Sequence, residues 1–156
     1  MILLLTTATC KKESSETSES LDSFATANFS FLKSTQASND ANQLRGPVYS
    51  AIFEILKVDR NKEAIQITLS YPVGCGDSKF EIIWNGLTTL PPSTIIIYLR
   101  RTTDCTVAGN STSRILSINL ADCLGDETLA QRVNIILCNT SKKANTENSD
   151  ISITSK

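Results

Sequence analysis

From Val48 onward the chain alternates between short apolar runs and clusters of turn residues. Ile65, Ile67, Leu69 and Tyr71 alternate strictly with Gln66, Thr68 and Ser70, the period of a half-buried strand, and Pro72 ends the run. Before it, Val48 to Val58 reads as a strand with Tyr49, Ala51, Phe53 and Ile55 on one face, followed by a polar turn at Asp59-Arg60-Asn61-Lys62. Lys79 to Trp84 is a third strand, closed by the turn dipeptide Asn85-Gly86. Thr94 to Arg100 contains Ile95-Ile96-Ile97-Tyr98-Leu99, apolar on both parities, as a strand covered on both faces must be. Arg114 to Leu120 and Arg132 to Cys138 alternate again. Between them Asp122 to Gln131 has room for a helical turn, with Asp126 placed to cap it.

Short strands at this spacing, with almost no helical periodicity, predict an all-β domain. The expected architecture is an antiparallel β-sandwich, Ig-like, with Trp84 in the core between the sheets. A small β-barrel is the alternative, because strand count alone does not separate the two.

The pattern also divides the chain. Residues 46–140 are the sandwich, introduced by Gly46-Pro47. Residues 10–45 are rich in Ser, Thr, Glu and Lys, a composition that buries too little to offset its ordering entropy, and read as a disordered tether. Phe24, Phe29, Phe31 and Leu32 interrupt that polarity as a weakly ordered apolar island. Residues 141–156 are a polar tail, with Ile151-Ser152-Ile153 alternating enough for a weak terminal strand. Residues 1–9 are an apolar run, Met1 to Leu5, followed by the small residues Thr6 to Thr9, then Cys10 and the charged Lys11-Lys12-Glu13. That order is the end of a secretory signal. No stretch approaches the ~18 apolar residues of a membrane-spanning helix.

Small residues directly before Cys10 resemble a bacterial lipobox, in which the cysteine sulfur receives a diacylglycerol. Lys11-Lys12-Glu13 after it resembles the start of Bacteroidota lipoproteins. The resemblance implies a cell-envelope protein anchored to the membrane through Cys10. A second, looser pattern points to the same group: Gly74-Cys75-Gly76, then Phe80 and Trp84, Pro91-Pro92 and Asp104-Cys105. It is similar to uncharacterised Bacteroidota lipoproteins, in which a histidine often stands where this chain has Ser78. The departure at Ser78 removes the side chain on which an inherited metal or catalytic role would rest.

Composition narrows the chemistry. There are 156 residues, 15 basic and 16 acidic side chains, and no histidine. The commonest general base, the usual zinc ligand and the Ser-His-Asp triad are therefore excluded. A net charge of −1 argues against nucleic acid as a partner. No G-x-S-x-G, S-x-x-K or phosphate-cradling glycine loop occurs. Of the five cysteines, Cys75, Cys105, Cys123 and Cys138 remain if Cys10 is acylated. They lack the C-x-x-C spacing of a metal site and read as two disulfides, Cys75–Cys105 and Cys123–Cys138.

Asp77 and Asp104 flank the first of these pairs, which makes calcium an alternative, although no D-x-D-x-D-G loop exists. Asn28-Phe29-Ser30, Asn110-Ser111-Thr112 and Asn139-Thr140-Ser141 match the glycosylation triplet, which matters only in a eukaryotic secreted protein. Arg100-Arg101 is a basic pair whose side chains point to opposite faces of a strand and are expected only to solvate.

The expectation is a lipid-anchored extracytoplasmic interaction module, not an enzyme, without a cofactor, whose partner is a protein or a glycan. Its binding residues are expected on the loops Gly74–Lys79 and Thr102–Ser113: Asp77, Ser78, Lys79, Asp104 and Asn110. A structural envelope component and a His-free hydrolase are the alternatives.

Overall fold

The structure is a computed structural model that describes residues 23–26, 28–74, 77–89, 92–104 and 109–155. The elements run β1 (Ser23–Ala25), β2 (Ser30–Lys33), α1 (Thr35–Gln43), β3 (Glu54–Asn61), β4 (Ala64–Pro72), β5 (Lys79–Trp84), β6 (Thr94–Thr102), β7 (Ser111–Asn119), α2 (Leu120–Leu124), α3 (Glu127–Arg132), β8 (Asn134–Asn139) and β9 (Asp150–Ile153). Two sheets form a sandwich and do not close into a barrel. One has the order β1-β2-β5-β6-β8-β9, the other β3-β4-β7.

The core lies between the sheets and follows the alternation of the chain. Ile65, Ile67, Leu69 and Tyr71 of β4 face Phe80, Ile82 and Trp84 of β5 and Ile95, Ile97 and Leu99 of β6. A second, smaller cluster covers the other face of the large sheet. There Ala41 of α1 meets Ile83, Tyr98 and Cys138, with Ala37 and Tyr49 beside them. This explains why the β5 and β6 runs are apolar on both parities.

From residue 23 on, the expected tether is corrected by this packing, while residues 10–22 lie outside the described residues. Residues 23–45 are part of the fold. β2 pairs parallel with β5, Phe31 opposite Ile82, and Phe31 is fully buried with its ring stacked 5.1 Å from Phe24. α1 starts at Ser34, whose side chain accepts from the Ala37 N–H at 3.1 Å. It contacts the sheet through the small residues Ser38 and Ala41, so its apolar stripe is almost invisible in the sequence. The folded unit also passes residue 140, because β9 completes the sheet beside β8.

Two further expectations change. The sandwich is not wholly antiparallel: β2–β5 and β6–β8 are parallel pairs. Each pair is joined by a connection that crosses to the other sheet, through α1, β3 and β4 in the first case and through β7, α2 and α3 in the second. The first strand does not begin at Val48. The Gly46 carbonyl accepts from the N–H groups of Tyr49 and Ser50, turning the chain, and β3 begins at Glu54. Asp126 caps α3 as expected, accepting from the Leu129 N–H at 2.9 Å.

The Cys123–Cys138 bridge is not formed. Cys123 sits in the core between the sheets, whereas Cys138 points to the opposite face of β8, under α1. The parity of β8 decides this, since Leu137 takes the core side. Burial pushes both thiols up to about 12, with Asp122 adding to the effect at Cys123 and an Asp150 hydrogen bond at Cys138. Neither thiol is a nucleophile near neutral pH. Iodoacetamide is expected to leave both untouched in the native protein and to modify both after unfolding. Cys75 and Cys105 lie outside the described residues, as does Cys10.

Arg45 locks the C-terminal strand in place. Its guanidinium donates to the carbonyls of Asn139 and Ser149 and to Asp150 Oδ1 at 2.7 Å. Burial raises the Asp150 carboxyl, but hydrogen bonds from Arg45, Cys138 and Ser149 outweigh it and leave the group below its ordinary value. A depressed folded-state value contributes stability above the unfolded carboxylate range, and that stability is lost as pH falls through the folded value. Asp150→Asn is therefore expected to flatten the acid limb of the stability curve below about pH 4, read by urea titration at several pH values.

Candidate functional site

Several strand ends meet at one end of the sandwich. Lys79 of β5 pairs with Thr102 of β6, and Pro72 of β4 pairs with Ser111 of β7. The loops that follow these strands, the two expected to carry binding residues, therefore emerge together. They are joined by the Val73 N–H donating to the Asn110 carbonyl at 2.7 Å. Gly109 makes that approach possible, because a Cβ there would overlap the Val73 carbonyl oxygen.

Beneath the loops lies Arg101. It shares a parity with Ile95, Ile97 and Leu99 and so points between the sheets, only 4% exposed. Its guanidinium stacks 4.8 Å from the Tyr71 ring centre. It donates to the Ile52 carbonyl at 2.7 Å, the Pro72 carbonyl at 2.9 Å and the Ser78 hydroxyl at 3.0 and 2.8 Å. All these acceptors are neutral. Burial lowers the Arg101 pKa from its ordinary value, with Tyr71 opposing the shift. The charge nevertheless persists, because guanidinium titrates so far above neutral pH.

Arg114 of β7 is the second cation. It lies 5.7 Å from the Tyr71 ring and 5.8 Å from that of Phe80. One of its Nη atoms donates to the Ser78 carbonyl at 3.1 Å. The side chain is half-buried and borders a cleft of about 270 Å³. The rest of the wall comes from the β1–β2 hairpin, between Ala25 and Ser30, and from Ser78, Lys79 and Phe80. Neither Arg101 nor Arg114 has a carboxylate partner among the described residues.

The five expected loop residues are all placed at this end, with different roles. Ser78 is structural: its hydroxyl and carbonyl hold the two arginines. Lys79 is exposed and lines the cleft. Asp77 and Asp104 are exposed beside the paired ends of β5 and β6, and Asn110 is exposed with its carbonyl bound to Val73. Among the described residues no group of three potential metal ligands occurs around these aspartates. Asn139 of the third glycosylation triplet is fully buried, donating from its amide to the Phe53 carbonyl at 2.9 Å.

The basic pair is corrected in one member. Arg100 reaches the opposite face, 4.4 Å from the Tyr49 ring and 3.7 Å from Glu81. Arg101 does not solvate. The strand parity of residues 95 to 101 was the available signal for its burial.

Fold and site together define a two-sheet β-sandwich with a cleft at its loop-bearing end, lined by Arg114 and Lys79. A solved structure with a similar fold is that of a NigD-like immunity protein from Bacteroides caccae. It superposes with a TM-score of 0.52 and 11% identity over 84% of this chain and 67% of the other. At that identity the likeness is one of fold. No family model and no curated protein matches the sequence. No helix among the described residues is long and apolar enough to cross a membrane.

Proposed function

We propose that the chain is an interaction module of the bacterial cell envelope, tethered by lipid on Cys10 and binding a protein partner at the loop-bearing end of the sandwich. The observation that carries this reading is the loop-bearing end itself. Two arginines are held there by neutral acceptors, a cleft opens beside one of them, and no carboxylate among the described residues neutralises either. The half-buried Arg114 and the exposed Lys79 put positive charge on the wall of the cleft, over a rigid scaffold, which suits recognition of an acidic partner. The fold's use in an immunity protein from Bacteroides supports both the binding role and the bacterial setting.

The lipid is tested by metabolic labelling with a fatty-acid analogue. The protein is expected to take up label and fractionate with membranes, and Cys10→Ala to do neither. An unlabelled, soluble protein overturns the anchor. The binding site is tested by cross-linking in intact cells, which is expected to recover a protein partner with the native chain and to lose it with Arg114→Glu. Equal recovery by that variant overturns the site.

A further inference from the structure

The sheet edges differ in how they resist an added strand. β1 and β9, at the ends of the large sheet, span three and four residues. β3, at one edge of the small sheet, has a register shift between Ile55 and Lys57 and carries Lys57, Asp59 and Arg60. Shortness, bulges and charge are the usual protections of an edge. β7, at the other edge, is neither short nor bulged, and its one charged residue, Arg114, lies on the core-facing parity. All nine residues from Ser111 to Asn119 pair in unbroken register with β4, without proline or lysine. Its outward side chains include Ser113, Ile115 and Ser117, all uncharged, with Ile115 54% exposed. Among the described residues nothing pairs with its outer side.

The same strand supplies Arg114, on the core-facing parity. A residue placed opposite it on an added strand points the same way, into the cleft beneath the β1–β2 hairpin. Arg114 has five N–H donors and uses one on Ser78.

We infer that an extended segment of a partner protein adds to β7 as a further strand of the small sheet and directs an Asp or Glu side chain onto Arg114. This rests on the binding-module reading and names the chemistry of its partner. Backbone hydrogen bonds along β7 supply affinity, and the carboxylate sets the register. Charge selects this occupant over a second copy of the chain. Two β7 strands paired antiparallel over their whole length centre on Ile115. That brings the two Arg114 side chains to diagonal positions about 7–8 Å apart, like charges with no anion between them.

The test uses the full chain and a random peptide library displayed on phage. Selected peptides are expected to share an acidic residue within an alternating apolar stretch. Changing that residue to its amide is expected to weaken binding about tenfold, and Arg114→Gln by a similar factor, with little further loss when the two are combined. Arg114→Gln keeps a donor for the Ser78 carbonyl, and its melting curve checks that it folds. Hydrogen exchange is expected to show alternate amides of Ser111–Asn119 protected by peptide. Peptides without acidic preference, or no selected peptide, overturn the proposal. Protection confined to Gly74–Lys79 and Thr102–Asn110 also overturns it, while leaving the binding-module reading standing. Dimerisation that protects β7 without peptide assigns the edge to a second copy and overturns it as well.

Discussion

Phe31→Ala is expected to destabilise the protein by about 3–5 kcal/mol, measured by urea unfolding. Phe31 is fully buried in the main core, stacked on Phe24 and paired in register with Ile82. Removing the ring deletes its contacts with the sandwich and leaves a cavity that β2 is too short to collapse around. The effect also spreads along the chain. β2 leads into α1, and α1 covers Ile83 and Tyr98 on the far face of the large sheet. Limited proteolysis of the variant is expected to cut within residues 23–45, a region the native protein protects. A loss below about 1 kcal/mol, the range of an ordinary surface substitution, would show that the N-terminal strands do not belong to the cooperative unit.

Arg101→Met is expected to cost about 2–4 kcal/mol, from two opposed effects. Methionine removes a charge from the interior, which is favourable by several kcal/mol in a medium of low polarity. It also strands the Ile52 and Pro72 carbonyls and the Ser78 hydroxyl, each at about 1–3 kcal/mol. Three lost partners outweigh one relieved desolvation. Arg101→Lys is expected to be no better, because a single ammonium cannot span acceptors that a planar fork reaches together. In both variants amide exchange is expected to rise first at Ser78–Phe80 and Ile52–Phe53, the segments that the guanidinium joins. Unchanged exchange there would mean that Arg101 is not the link between these segments.

Much of the scaffold was legible in the pattern of apolar positions. The inward row of β4, the bounds of β5, the doubly covered β6 and the Asp126 cap all follow from local rules, because a strand or a cap needs only its own residues to announce itself. The five loop residues also fall at one end of the sandwich, as the strand sequence implied. Neither Arg114, which lines the cleft, nor Arg101, buried beneath the loops, stood out as a site residue in the sequence. Parity placed Arg101 on the core row, but a buried guanidinium is sustained only by acceptors from remote segments, Ile52, Pro72 and Ser78, which no local window contains.

The same distinction separates the rest. By itself the sequence determined an all-β fold with a core of alternating Ile, Leu, Tyr and Phe, since the two-residue period of a strand is written directly into the chain, and only the open edges of the two sheets decided for a sandwich over a barrel. Only the tertiary structure decided that residues 23–45 fold, that two strand pairs are parallel, and that Cys138 turns away from Cys123. β1, β2 and α1 are too short or too polar to be stable alone, and they exist because the large sheet offers them an edge and a second apolar face. The parallel pairs follow from connections that pass through the opposite sheet. A single residue of strand parity then sends neighbouring side chains to opposite sides of that sheet, which is why Cys138 meets Tyr98 while Leu137 meets the core.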